Sequence, residues 1–444
     1  MQLTSFKGIH KIAVPAIIAG IAEPILSSTD AAIIGNIPIN ATESLAAVGI
    51  VGSFLSMLIW ILGQTRSVIS SIISQYLGAN EFKNIGTLPM QALAINIGLS
   101  VLVLGGTYFF AADIFRLLKA DDLILKYSLQ YYNIRIWGFP FTLAVFTIFG
   151  VFRGLQNTFW PMIVSAIGAI LNIILDFAFV YGIEDFIPAM HIEGAALASL
   201  ISQIVMAIIA FGLLVVKTDI DFSFGTNWHP KIPNLIGMSF NLFLRALSLN
   251  IALLLAVRTA TDLGPEYIAA HAIAINIWLF TAFFIDGYAS AGNIYGGKLF
   301  GAKDYDQLKK LVFKVSVYGI GVGVILMCLG VLFYKKTGLL FTQETEVLNA
   351  FYNVFFMVIL VQPLNAIAFV LDGVFKGLGQ MKYLRNLLFI ATFIGFIPTL
   401  FISQYFNLKL IGVWLALAVW LLFRSVGMIW KFKMDYTSNY KAIS

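Results

Sequence analysis

Charge is the scarcest property of this chain. Of 444 residues only 28 are Lys or Arg and 22 are Asp or Glu, 11% in all, against roughly a quarter in an average soluble domain. So few charges cannot clothe a water-facing surface of this size, which excludes a soluble enzyme. The net charge of +6 is not gathered into a basic patch with interleaved aromatics, so nucleic acid is not an expected partner. The single cysteine, Cys328, excludes a disulfide framework, and its place in an apolar stretch reads as packing. No GxxxxGK[ST] loop, HExxH, zinc-spaced Cys/His set or GxSxG elbow occurs. ATP-driven transport and common hydrolytic chemistry therefore lack their residues, and neither enzymatic activity nor a cofactor is expected.

What remains is apolar: 60% hydrophobic residues, with a mean hydropathy of +0.90. Continuous runs of about 20 residues or more match the length a helix needs to cross hydrocarbon, and differ from the ten-residue alternation of a membrane barrel. About twelve such runs are read, at 9–35, 46–76, 88–115, 128–155, 160–183, 192–216, 233–261, 268–300, 311–335, 347–378, 383–404 and 410–432. The expected fold is an all-α integral membrane protein of about twelve transmembrane helices in two pseudo-symmetric six-helix lobes. Residues 1–216 form the first lobe and 233–444 the second, joined by a cytoplasmic loop at 217–232. Lys7 and Lys11 precede an apolar run too long for a signal peptide, with no small-residue cleavage site, so the first helix is expected to be retained. Lys83, Lys217, Lys231, Lys303, Lys309, Lys310, Lys376 and Lys382 crowd alternate connections, while the opposite ones are poorer, holding Arg116, Lys119, Lys126, Lys335, Lys336 and Lys409 diluted by Asp121, Asp122, Glu184, Glu344 and Glu346. This asymmetry puts both termini in the cytoplasm of a multi-pass cell-membrane protein.

The halves are copies. Residues 45–83 and 268–306 align without a gap, LAAVGIVGSFLSM on IAAHAIAINIWLF, at a constant offset of 223. At the same offset Pro140 meets Pro363, and Phe152-Arg153-Gly154-Leu155 meets Phe375-Lys376-Gly377-Leu378. Doubled halves around a shared interface are one way membrane carriers build a cavity that opens to either side.

Chemistry has to come from the few polar groups deep in the apolar runs, where an ionisable side chain is costly and is a functional candidate by default. The first helix carries Glu23 and Asp30, the fifth Asn172 and Asp176, the seventh Arg245, the eighth Asp286 and the tenth Asp372. Asn172 and Asp176, four apart, share a helix face. Were Asp30 to meet them, two carboxylates in a low dielectric would take up a proton or bind a cation between them. The alternative is that each carboxylate pairs with an Arg or caps a broken helix. Pro15 and Pro24 remove backbone hydrogen bonds from the first helix and permit a bend.

At these residues the chain resembles the MATE family, the multidrug and toxic compound extrusion antiporters, and within it the DinF branch. The likeness rests on the TDAAIIG run at Thr29 to Gly35, LNIILD at Leu171 to Asp176, GAALAS at Gly194 to Ser199, FTAFFIDG at Phe280 to Gly287, FLR at Phe243 to Arg245, LDG at Leu371 to Gly373 and WLAL at Trp414 to Leu417. The resemblance implies a twelve-helix exporter that exchanges organic compounds for H+ or Na+. It places ion coupling on Asp30, Asn172, Asp176, Ser199 and Tyr131, a Na+ site on Asp30, Asn172, Asp176 and Ser199, and the helix bend on Pro15. Phe177 stands where many members have proline, and Ser199 where they have threonine.

The expected function is therefore secondary active efflux of organic, mostly cationic or amphipathic compounds, by a monomer among membrane lipids. Arg245, Asp286 and Asp372 form an expected charged cluster in the second lobe. Met57, Trp60, Phe139, Phe280 and Phe283 are candidate substrate contacts, offering adaptable apolar surface. The runner-up is a lipid-linked saccharide flippase of the same superfamily, disfavoured because the only deep cations are Arg66, Arg135, Arg245 and Arg258. An intramembrane enzyme comes third, its histidine candidate His271 reading as a capping residue at a helix start.

Overall fold

Apolar runs this long satisfy their backbone polar groups only by coiling into helices. The computed structural model describes residues 3–38, 40–184 and 186–438, with the side chains of residues 23, 24, 27, 437 and 438 left aside. Glu23 and Pro24, singled out above, thus have side chains outside the described residues. Twelve long helical segments follow one another: α1 (Phe6–Ile34), α2 (Ala41–Gly78), α3 (Phe82–Phe109), α4 (Asp122–Gly154), α5 (Phe159–Val180), α6 (His191–Lys217), α7 (Ile232–Leu263), α8 (Pro265–Gly301), α9 (Tyr305–Leu332), α10 (Thr345–Leu360 with Gln362–Gly377), α11 (Met381–Tyr405) and α12 (Lys409–Tyr436). Each expected run falls on one of them. Among the described residues ten are long and apolar enough to cross a membrane, and α10, bent by 51°, makes an eleventh as one span. Helix α1 has 29 residues, roughly 43 Å at 1.5 Å per residue.

Proline marks where the helices deviate. A 3₁₀ turn at Ile136–Gly138 precedes Pro140 in α4, and the bend of α10 at Val361 precedes Pro363, so both copies depart from regular α-helix just before this proline. In α11, Pro398 has no N–H to return to the preceding turn, and the helix widens into a π-helical stretch at Ala391–Phe396. Cys328, expected to pack, is instead exposed on α9.

The chain divides into two compact units. One comprises Ile18–Ile73 and Glu81–Ile236; the other comprises Gly237–Ser444 together with Met1–Ile17 and Ser74–Asn80. The first half of α1 and the tip of α2 thus pack with the second half of the sequence. The unit boundary in α1 falls two residues after Pro15.

Within each unit the same glycines do the same work. In α4, a Cβ added at Gly150 would lie 2.8 Å from the Arg66 carbonyl oxygen of α2, and one at Gly154 3.2 Å from that of Ser70. At the 223 offset in α10, a Cβ at Gly373 would lie 2.1 Å from the Ala289 oxygen of α8, and one at Gly377 2.3 Å from that of Asn293. Two glycines a turn apart let backbones touch where hydrophobic driving force between helices is weak. The repeat is therefore a repeat of contacts.

The polar connection before α7 is tied to its own unit. Gln91 donates to the carbonyls of Phe224 and Asn227 at 2.7 and 3.0 Å and accepts from the His229 backbone N–H at 2.8 Å. The buried His229 ring meets the Asn84 carbonyl at 2.8 Å and accepts from the Lys231 N–H at 3.1 Å.

Candidate ion-coupling site

Four helices of the unit made of Ile18–Ile73 and Glu81–Ile236 converge on one polar locus. The second half of α1 brings Asp30, α4 brings Tyr131 and Arg135, α5 brings Asn172 and Asp176, and α6 brings Ser199. Asp30, Tyr131, Asn172, Asp176 and Ser199 are all buried, Asp176 completely. The ends of α5 and α1 are stitched by the Tyr181 hydroxyl, which donates to the Ile33 carbonyl at 2.9 Å.

The carboxyls of Asp30 and Asp176 lie within side-chain hydrogen-bonding range of each other. Written as carboxylates, one Asp30 oxygen and both Asp176 oxygens are buried without a donor among the described residues. Two facing acceptors are not a stable arrangement in a low dielectric; a proton or a cation between them removes the conflict. Asn172 Nδ2 donates to Ser199 Oγ at 3.4 Å, beside the Asp176 carboxyl one turn along the same face. Carboxylate, amide and hydroxyl oxygens are the hard donors an alkali cation prefers. The described residues hold no group of three His, Cys, Asp or Glu suited to a transition metal.

Arg135 is the residue the sequence reading did not place here. Half-buried, it lies four residues after Tyr131, within side-chain hydrogen-bonding range of it, and its guanidinium faces Asp30 and Asp176 electrostatically. The four-residue spacing from Tyr131 was the available signal.

The other candidates separate. Arg245 Nη2 and Lys376 Nζ each take one oxygen of buried Asp372, Lys376 at 2.9 Å. Lys376, counted above among connection cations, thus belongs to the helix, four residues after its partner. Asp286 is exposed and forms no ion pair with Asp372's partners among the described residues, acting on Lys376 through its field. Met57, Trp60 and Phe280 are exposed, Phe283 is half-buried, and Phe139 sits in the hydrophobic core with Tyr132 and Leu143. His271 caps nothing: it is buried within α8 with its ring 5.8 Å from that of Trp414.

Residues 15–178 and 242–401 match the family model described as MatE. The chain is 27% identical over 482 residues to Protein DETOXIFICATION 42 of Arabidopsis thaliana, covering 95% of this chain and 91% of that protein. It is 26% identical over 438 residues to the DNA damage-inducible protein F of Escherichia coli, covering 96% and 92%. A solved structure described as the outward-facing conformation of a multidrug resistance MATE family transporter superposes with a TM-score of 0.87 at 21% identity, covering 98% of this chain and 96% of that one. That likeness establishes the fold.

Proposed function

This chain belongs to the MatE family, and on that footing we propose that it is a secondary active multidrug efflux antiporter, exporting organic, mostly cationic or amphipathic compounds in exchange for H+ or Na+. The observation that carries this reading is the pair of facing carboxyls, Asp30 and Asp176, buried without a donor. A proton shared between them, or a Na+ held by them with Asn172 and Ser199, is a charge that can be loaded and released. Tyr131 and Arg135 border the pair on α4, so the state of the carboxyls is felt by a third helix beyond α1 and α5.

The coupling runs through α1. Loading draws Asp30 toward Asp176; emptying leaves two like charges that repel. Pro15, which removes one hydrogen bond from the helix, lets α1 answer by bending. Moving an inward-open and outward-open equilibrium from one extreme to the other takes about 5.5 kcal/mol of differential ion binding, and relief of two unpaired buried acceptors is of that order. The protein works in the cell membrane as a multi-pass monomer with both termini cytoplasmic, in keeping with the distribution of its basic residues.

The test is counterflow of a cationic dye in proteoliposomes, with proton and sodium gradients imposed separately. One of the two gradients drives efflux in the native protein, and Asp30→Asn with Asp176→Asn abolishes the gradient response while leaving dye binding. Gradient-driven efflux that survives the double substitution would overturn the assignment.

A further inference from the structure

The C-terminal end of α1 is fastened to the helix that carries Asp176. The last carbonyls of a helix lack the N–H a turn ahead that would bond them. At Ile33 the carbonyl takes one backbone donor, the Asn36 N–H at 3.2 Å, which leaves a lone pair for a second. The Tyr181 hydroxyl donates into it at 2.9 Å. Tyr181 is the first residue past the end of α5, and its ring lies 6.0 Å from that of Phe177, one turn earlier. It follows Asp176 by five residues, and Ile33 follows Asp30 by three. The same two helices are therefore joined twice, carboxyl to carboxyl and, beyond it, phenol to carbonyl.

Two attachments fix more than one can. A carboxyl contact alone would let α1 draw away whenever the ion leaves, because two like charges in a low dielectric push apart. With Ile33 held, α1 cannot carry Asp30 away from α5 without also breaking the phenol bond. Building on the coupling reading of that pair, we propose that Tyr181 is a positioning residue: its bond to the Ile33 carbonyl keeps the Asp30 and Asp176 carboxyls facing in the empty state and so raises the affinity of the pair for its ion. A pair that is kept from relaxing gains more from the returning ion than one that has already drawn apart. A second bond at this end, from Asn40 Nδ2 to the Tyr127 hydroxyl at 2.8 Å, joins the turn beyond α1 to α4 and engages neither α1 nor α5.

Tyr181→Phe tests this in proteoliposomes holding the full chain, with efflux of a cationic dye followed as the driving ion is titrated. The ring and its packing against Phe177 stay, so melting temperature and yield are expected to hold. The ion concentration for half-maximal efflux is expected to rise about twofold to tenfold, the scale of one neutral hydrogen bond, with the rate at saturating ion kept. Asn40→Ala, which breaks the neighbouring bond to Tyr127, is the control and is expected to show native ion dependence. Native ion dependence in Tyr181→Phe, a loss of rate at saturating ion with the half-maximal concentration unmoved, or an equal shift in Asn40→Ala would each overturn the proposal and leave the coupling reading standing. A native protein that answers to neither a proton nor a sodium gradient would overturn both.

Discussion

The tip of α2 and the end of α8 cross at glycines that occupy equivalent places in the two halves. A Cβ built on Gly78 would lie 1.9 Å from the Lys298 carbonyl oxygen, and one built on Gly301 would lie 2.0 Å from that of Gln75. Positions 75 and 298, like 78 and 301, are related by the 223 offset, so each helix offers a glycine to the other's carbonyl. Real Cβ atoms essentially never come closer than 3.0 Å to such a neighbour, so Gly301→Ala forces a separation of about 1 Å. The obstructing atoms are backbone, and no rotamer change relieves them. Overpacking of this kind costs about 1–3 kcal/mol, and more where nothing can yield. Gly49→Ala and Gly98→Ala, at helical positions where an added Cβ meets nothing within 4 Å, are the controls, and gain up to roughly 1 kcal/mol from helix propensity. Thermal unfolding in detergent, followed by fluorescence-detected size exclusion, should place Gly78→Ala and Gly301→Ala well below the native protein and the controls at or above it. If Gly301→Ala melted with the controls, the crossing would not be the close contact argued here, and the repeat of contacts would lose its tightest example.

Gly373→Ala should destabilise more than its counterpart Gly150→Ala, because its added Cβ would lie 2.1 Å rather than 2.8 Å from the opposing carbonyl; the same melting assay ranks the two. Gln91→Ala removes three hydrogen bonds that hold the connection before α7, at about 0.5–1.5 kcal/mol each, so tryptic cleavage at Lys217 and Lys231 should quicken severalfold with the global melting temperature little changed. Arg135→Gln takes away the cation facing Asp30 and Asp176, and initial rates of ion-driven efflux should fall by about tenfold on the scale of one charged hydrogen bond, while protein yield and melting hold.

How much of this was written in the chain varies by residue. Hydropathy located each helix, because a run of apolar residues in lipid has no other way to satisfy its backbone. Pro363 announced the bend of α10 and Pro140 the 3₁₀ turn of α4, since the missing N–H acts locally whatever surrounds it. The i, i+4 spacing of Asn172 and Asp176 put an amide and a carboxylate on one face without any knowledge of neighbours.

Contacts between distant segments were not legible. That Asp30 meets Asp176 while Asp286 stays apart from Asp372 depends on how helices rotate about their axes, and an apolar run that is hydrophobic all round carries no stripe to fix that rotation. Arg135 looked like an isolated deep cation in the sequence, and packing alone turned it toward a pair of carboxyls. Cys328 and His271 exchanged their expected surroundings for the same reason. Composition thus determined that the chain is a bundle of membrane helices, doubled and kinked at known places. Only the tertiary structure decided which of its few charges would face one another, because in lipid that choice is made by small residues and close backbone approach rather than by the hydrophobicity that made the helices.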